Sequence, residues 1–374
     1  MAKTKEKTIA LEPTEIEKAT VNSDVEFIFE ELEDLQKKID TTKGVPEDLM
    51  DRMQKMLHRL NTMAKMGSYS IEFDNIARYI NTITSIPWES RSEDKLDLVG
   101  TAELLEETHH GMQYVKDRVL EYLSTMILMR RKGQNAIARS PVILFVGLQG
   151  VGKTTMAISL AKALDRKFVR VAMGAIGSVT ELRGRSKSFP ESEPGQIIKA
   201  IIKTGVKNPV ILLDEIEKAS GEAGLQSDVI AALLEILDPR QNFEFRDHYV
   251  DFPYDLSEVL FVCSANNTGT LSAAIMDRLE VIKMPSYTNA EKEVIAKNYV
   301  FPEVLENSGL ADGELTIEDT LWPGIVKPFG YDSGIRSIGR TLDSIARKAA
   351  KEIVEGKATQ VHITAENLKH YLPQ

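Results

Sequence analysis

The run Gly147-Leu-Gln-Gly150-Val-Gly152-Lys153-Thr154 has the pattern G-x-x-x-x-G-K-[ST]. Its chemistry is phosphate binding. Gly147, Gly150 and Gly152 let backbone N–H groups turn inward around phosphate oxygens, and the N-terminus of a following helix adds a favourable dipole. Lys153 is the cation that would reach the outer phosphates of a nucleoside triphosphate, Thr154 would give a hydroxyl to Mg²⁺, and Thr155 lies in the same cradle. A plain glycine turn is the bland alternative. The setting argues against it, because an apolar run, Val142–Val146, precedes the loop and helical spacing through Met156, Leu160 and Leu164 follows.

Further along, Val210-Ile-Leu-Leu-Asp214-Glu215 is an apolar run ending in two acids. Asp214 would sit beside hard Mg²⁺ as an oxygen ligand, and Glu215 could act as general base on a water. Adjacent acids after a strand are also common as solvated loop charges. With the phosphate loop upstream, the functional reading prevails. Val259-Leu-Phe-Val-Cys-Ser-Ala-Asn266 ends another apolar run in a polar residue, where open α/β sheets place their ligands. Asn266 could hold the attacking water, or simply make a turn. Cys263, within that run, reads as a buried apolar filler. Arg278 ends a helix-like stretch, Ile275–Glu280. It is either a surface ion-pair member or an arginine that completes a neighbour's site by stabilising transition-state charge. His109-His110-Gly111 could equally be part of a metal site, although no carboxylate or cysteine has suitable spacing.

The elements that must position these residues are short apolar runs alternating with helical stretches. Val142–Val146, Phe168–Ala172, Val210–Leu213 and Val259–Val262 give the βαβ rhythm of a parallel sheet covered on both faces. Upstream, residues 1–22 read as a solvated, disordered arm, and Ser23-x-x-Glu26 as a capping box that starts a helix. Val25, Ile28, Leu32, Leu35 and Ile39 step by three and four. Gly44-Val45-Pro46 interrupts, and the stepping resumes through Leu49, Met53, Met56, Leu60 and Met63. This predicts an antiparallel helical hairpin, favoured over an intersubunit coil. A third helix is expected around Phe73, Ile76, Ile80 and Ile83, ended by Pro87. Beyond Pro285 the sheet signal fades, Thr288-x-x-Glu291 forms a second capping box, and the remainder reads mostly as helix.

Composition narrows the class. The chain has 374 residues, 43% hydrophobic and 27% charged, so it can bury a sizeable core. Its 46 basic residues against 56 acidic ones leave a net charge of −10, which disfavours a nucleic-acid or anionic membrane surface as main partner. A single cysteine rules out a disulfide framework and suits a reducing compartment. No apolar run approaches the roughly 18 residues of a membrane span, and the first residues lack the apolar core of a secretion signal. The expected location is the cytoplasm.

Taken together the residues resemble an AAA+ ATPase, and more closely the ATPase module of the Lon protease family. Ser85-Ile-Pro-Trp88, Val115-Lys-Asp-Arg-Val-Leu-Glu-Tyr122, Val206-Lys-Asn-Pro209, Leu233-Leu-Glu-Ile-Leu-Asp-Pro239, Asp247-His-Tyr249 and Asp277-Arg-Leu-Glu-Val-Ile282 carry the resemblance in order. It implies an α/β P-loop core of three layers with a parallel sheet (89–285), preceded by the helical hairpin region (23–88) and followed by a small helical lid (286–374). It also implies ATP as substrate, Mg²⁺, a homo-oligomeric, six-membered ring and a polypeptide to act on. Asn266 becomes the sensor of the γ-phosphate, Arg278 an arginine finger acting in trans, and Arg336 a lid arginine on the phosphates. His109, His110 and Gly111 match the segment lying against adenine, although tyrosine is usual where His110 stands. Phe189, Pro190 and Glu191 match the loop that grips polypeptide in the central pore.

Two departures stand out. In the pore loop Pro190 stiffens the chain and Glu191 and Glu193 bring charge, so six copies are expected to make an acidic pore; the alternative is a loop that only packs between subunits. Leu148-Gln149 replaces the usual proline pair, which should leave phosphate binding intact. The family's Ser–Lys proteolytic motif is not found in the chain, so peptidase activity is not expected from it alone. The resulting expectation is an ATP-driven unfoldase or remodeller, or the ATPase component of ATP-dependent proteolysis with a separate protease partner. The rival is a nucleotide-gated scaffold that threads nothing.

Overall fold

The computed structural model describes residues 15–66, 71–133, 140–189, 191–219, 226–327 and 334–372. Residues 1–14 of the expected arm, and Pro190 of the expected pore loop, lie outside them.

Helices α1 (Glu15–Thr41) and α2 (Glu47–Lys65) form the hairpin, turned at Gly44, whose φ of 75° suits a residue without Cβ. Leu49, Met53, Leu57, Leu60 and Ala64 form the buried stripe of α2, and Leu32, Leu35 and Ile39 that of α1. The expected start at Ser23 is corrected: α1 begins at Glu15, inside the stretch read as an arm. A capping box marks a start only where no helix is already running; propagation costs far less than nucleation, so a preceding turn carries the helix through Ser23.

Helix α3 (Ile71–Ser85) packs on both and fastens the hairpin to the rest of the chain. Tyr79 Oη donates to Val250 O at 2.9 Å, and Tyr254 Oη donates back to Pro87 O at 3.0 Å. Trp88 meets the Tyr254 ring edge-on at 5.4 Å. The hairpin's apolar stripe, α3 and one face of the sheet merge into a single hydrophobic core, which makes the hairpin intramolecular.

After α4 (Leu98–Thr108) and α5 (Gln113–Arg131), strand β1 (Val142–Val146) leads into α6 (Lys153–Ala163), and β2 (Phe168–Ala172) follows. Then come α7 (Val179–Arg183), α8 (Gln196–Thr204), β3 (Val210–Asp214), α9 (Gln226–Ile236), the short pair β4 (Phe245–Arg246) and β5 (Pro253–Tyr254), β6 (Leu260–Ala265), α10 (Ala273–Met276) and β7 (Leu279–Lys283). The main sheet is wholly parallel in the order β2-β3-β6-β1-β7. Helices α4, α5 and α6 cover one face in a second core, while the first core covers the other. Strand β7 corrects the helix-like reading of Ile275–Glu280. Helix α10 stops at Met276, because Leu279–Lys283 pairs along the whole of β1, a gain available only from tertiary contact.

The lid comprises α11 (Asn289–Ile295), α12 (Phe301–Asn307), β8 (Leu315–Ile317), α13 (Trp322–Val326), α14 (Arg336–Val354), β9 (Val361–Ile363) and α15 (Leu368–Tyr371). The Thr288–Glu291 capping box is formed in full. Ile338, Leu342, Ile345 and Ala349 of α14 point into a third core of the lid's own, with Trp322 edge-on to Phe301 at 5.6 Å. The small parallel pair β8–β9 was not anticipated; each strand is too short to show a period.

Candidate nucleotide-binding site

Because β6 lies between β1 and β3, the carboxyl ends of three adjacent strands converge on one cleft of about 410 Å³. Gly150, Gly152, Lys153, Thr154 and Thr155 line it from the loop and α6, Asp214 and Glu215 from β3, Asn266 from the end of β6, and Arg336 from the lid. Residues scattered over nearly two hundred positions thus meet in one cleft. Gly150 and Gly152 adopt φ of 79° and 99°, the left-handed turns that aim the loop's N–H groups inward.

Lys153 is buried. Its Nζ donates to Gly147 O at 2.5 Å, to Leu148 O at 3.0 Å and to Asn266 Oδ1 at 3.0 Å. Burial pulls its pKa below the ordinary lysine value, against the opposing pull of Asp214, Glu217 and Glu215. An anion in the cleft would replace neutral carbonyls as its partner, so the residue is poised for phosphate. Asn266 is held by Glu217, whose Oε1 accepts both its backbone N–H at 3.0 Å and its side-chain amide at 2.7 Å. That fixes Oδ1 toward Lys153.

Asp214 accepts the Ser264 hydroxyl on one oxygen and, on the other, Nε and Nη2 of Arg170, each at 2.6 Å. Ser264 Oγ in turn accepts Glu215 N–H at 3.1 Å. Glu215 sits at φ 57°, a left-handed turn directly after β3 that costs a non-glycine residue on the order of 1 kcal/mol. Its carboxylate accepts from Lys218 at 2.8 Å. The hydroxyl of Thr154 and the carboxylate of Asp214 are hard oxygen donors lining the same cleft, donors of the type that suits Mg²⁺. Among the described residues there is no group of three or more His, Cys, Asp and Glu that could hold a metal, so His109 and His110 build none.

The lid touches the phosphate loop itself. Ile335 N–H donates to Gly150 O at 3.1 Å, and a Cβ on Gly334 would lie 2.4 Å from Gln149 O. Arg336, the first residue of α14, is thereby brought to the cleft. His109 supports α6 from behind: Nε2 lies 3.2 Å from Thr155 Oγ1 and Nδ1 2.9 Å from Thr108 Oγ1. Burial, then the Lys116 charge, pushes the imidazole down to about 4, so it is neutral at neutral pH. His110 and Gly111 flank the cleft without lining it; a Cβ on Gly111 would come within 2.9 Å of Glu291 Oε1.

Arg278 and the 189 loop lie elsewhere. Arg278 O accepts Val142 N–H at the amino end of β1, opposite the phosphate loop. Its Nη1 donates to Ala274 O at 2.8 Å and its Nη2 to Asp238 at 3.1 Å, beside a separate cavity of about 580 Å³. Phe189 is half exposed, with the Arg185 guanidinium 5.1 Å from its ring. In the same segment Glu193 pairs with Lys199 at 2.8 Å, and Lys187 Nζ lies 3.8 Å from Asp251.

The family described as ATPase family associated with various cellular activities (AAA) matches residues 143–286. The Lon protease AAA+ ATPase lid domain matches 306–362. The chain belongs to the AAA ATPases of Lon type. It is 39% identical over 92% of its length to a Lon protease of Lawsonia intracellularis and covers 40% of that protein. Against Lon protease 2 of Thermus thermophilus it is 39% identical over 92% of its length, covering 45%. Against a Lon protease of Escherichia coli K12 it is 38% identical over 92%, covering 42%. The chain therefore spans less than half the length of these curated relatives.

Within this Lon-type ATPase, sequence reasoning overlooked Arg170, Ser264, Glu217 and the Gly334–Ile335 contact. A signal existed for the first: Arg170 interrupts the apolar run of β2 at a position that alternates away from the buried Val169 and Val171. Ser264 and Glu217 had none, since their roles depend on which strands are neighbours.

Proposed function

We propose that the chain is a subunit of an Mg²⁺-dependent, ATP-hydrolysing homo-oligomeric ring, hexameric as in its family, that acts on protein. The observation that carries this reading is the placement of Arg278. It stands at the amino end of the strands whose carboxyl ends hold Lys153, Asp214, Glu215 and Asn266, paired with Asp238, so any part it takes in hydrolysis would be at a neighbouring copy's cleft. A head-to-tail ring would supply that neighbour.

In this reading the loop amides and Lys153 take the phosphates, with Lys153 exchanging Gly147 O and Leu148 O for the anion. Thr154 and Asp214 would hold Mg²⁺, which would supply charge neutralisation on the outer phosphates. Glu215 turns from Lys218 to accept the proton of a water as the water's oxygen attacks the γ-phosphorus; the bond to the bridging oxygen breaks, releasing ADP and phosphate. Asn266 orients that water, and the neighbour's Arg278 stabilises the charge in flight. The Ile335–Gly150 bond couples the phosphate loop to the lid, and the 189 loop would carry the resulting movement to a polypeptide. A separate protease is a candidate consumer of the unfolded product. A cytoplasmic setting accords with the unpaired, buried Cys263. Among the described residues no helix is long and apolar enough to cross a membrane.

The test uses two variants. Glu215→Gln should retain ATP but lose turnover by about 10²- to 10⁴-fold, and it should trap bound protein for identification by pull-down. Phe189→Ala should abolish the stimulation of ATP turnover by an unfolded protein such as casein. Undiminished stimulation would remove polypeptide threading from the reading, and undiminished turnover in Glu215→Gln would remove that residue as the base.

A further inference from the structure

Asp214 is the carboxylate expected to ligate a cation, yet both of its oxygens are engaged within the chain. The Ser264 hydroxyl holds one; two nitrogens of Arg170 converge on the other at 2.6 Å each. About three of the carboxylate's four lone-pair directions are thus taken, and a hard divalent cation, bound directly or through water, competes with these donors for its charge. The two engagements differ in how readily they yield. Ser264 is fully buried in β6 and also accepts Glu215 N–H, so it is pinned from two sides. Arg170 is rooted in β2, an edge strand, with its side chain 51% exposed at the rim of the cleft.

We propose that Arg170 is a latch on Asp214 that competes with the divalent cation and is released onto phosphate when nucleotide arrives with it. Charge supports the exchange. Asp214, Glu215 and Glu217 crowd the carboxyl end of β3 and the turn after it, opposite Lys153 and Arg336, and the Arg170 guanidinium offsets part of that negative charge. A cation arriving alone would have to break the pair and leave Arg170 without its carboxylate. A cation arriving with a triphosphate gives the guanidinium a new anionic partner at the same rim, for which its planar donors are well matched. The latch thus makes cation binding conditional on nucleotide, and keeps the Asp214 carboxylate oriented in the meantime. This rests on the reading of Asp214 as cation ligand, and Arg170 is in that sense a positioning residue.

Titration of the full chain with Mn²⁺, followed by electron paramagnetic resonance with and without saturating ADP, tests the latch without relying on activity. In Arg170→Ala the nucleotide-free Mn²⁺ midpoint should fall by about two- to fivefold, the size expected of a half-exposed ion pair, and the ratio of midpoints without and with ADP should shrink accordingly. Arg170→Lys, which keeps the charge but not the two-point contact, should fall between. An unchanged ratio, or a weaker nucleotide-free midpoint, overturns the latch. Asp214→Asn separates the two levels. If it binds Mn²⁺ as the unaltered chain does, the reading of Asp214 itself fails; if it loses binding while Arg170→Ala changes nothing, only the latch fails.

Discussion

The trans placement of Arg278 can be tested by mixing two inactive proteins. Val142 and Val146 mark the ends of β1, about 13 Å apart at the usual rise of ~3.3 Å per residue. Arg278 is tied to the Val142 end, and its guanidinium is turned toward Asp238 and Ala274. It therefore cannot reach the phosphates of its own cleft. Arg278→Ala should lose about 10³-fold or more in turnover, the scale of other arginines that act across an interface. Glu215→Gln should be comparably inactive for a different reason. In assemblies co-expressed with distinct tags and purified through both, an Arg278→Ala subunit keeps its own Glu215 and can borrow the arginine of a Glu215→Gln neighbour. With equal, random mixing, a working base meets a working arginine at about a quarter of head-to-tail interfaces. Steady-state phosphate release should then recover to roughly a quarter of the unaltered value per subunit. Mixed assemblies no more active than their parents would refute the trans assignment, as would an Arg278→Ala protein that hydrolyses normally by itself.

Two further outcomes follow from the cleft. Gly334→Ala would place a Cβ 2.4 Å from Gln149 O and 2.7 Å from Gly150 Cα, backbone atoms that cannot yield, so the lid end must retreat and give up the Ile335–Gly150 bond. Losing that bond, at about 1 kcal/mol net, should weaken binding of a fluorescent nucleotide roughly fivefold without altering the melting of the α/β core; equal affinity would show that the contact plays no part. His109 gives a pH signature. Its imidazole, at about 4 when folded against 6.5 when not, favours the neutral ring, so its stabilising contribution is full above 6.5 and is lost as pH falls toward 4. Urea titrations should show about 2 kcal/mol less stability near pH 5 than near pH 7.5 from this group, and His109→Gln should lose that part of the acid sensitivity; identical acid slopes would refute it.

The phosphate loop, β1, β2, β3 and β6 were legible because their determinants are local. Glycine spacing sets where amides can turn inward, and a short apolar run between turn residues has few fates other than a buried strand. The hairpin was legible for a similar reason, through the stepping of Leu49, Met53 and Leu60. Its beginning was not, since Ser23-x-x-Glu26 has the form of a start signal although the helix is already running from Glu15. Strand β7 was hidden by Asp277-Arg278, which read as the end of a helix until pairing with β1 was known.

Sequence by itself determined that this chain carries the phosphate-loop motif of an AAA ATPase and which family it belongs to, because those facts are written in residue type and short spacing. Only the tertiary structure decided how they meet. The order β2-β3-β6-β1-β7 brings Ser264 and Asn266 at the end of one strand against Asp214 and Glu217 at the end of another, lays Arg170 on the Asp214 carboxylate, presses Gly334 onto Gly150 and leaves Arg278 at the far end of the sheet. Each of these contacts joins segments distant along the chain. Strand order fixes them, and strand order follows from how the whole apolar surface is buried, which no local pattern encodes.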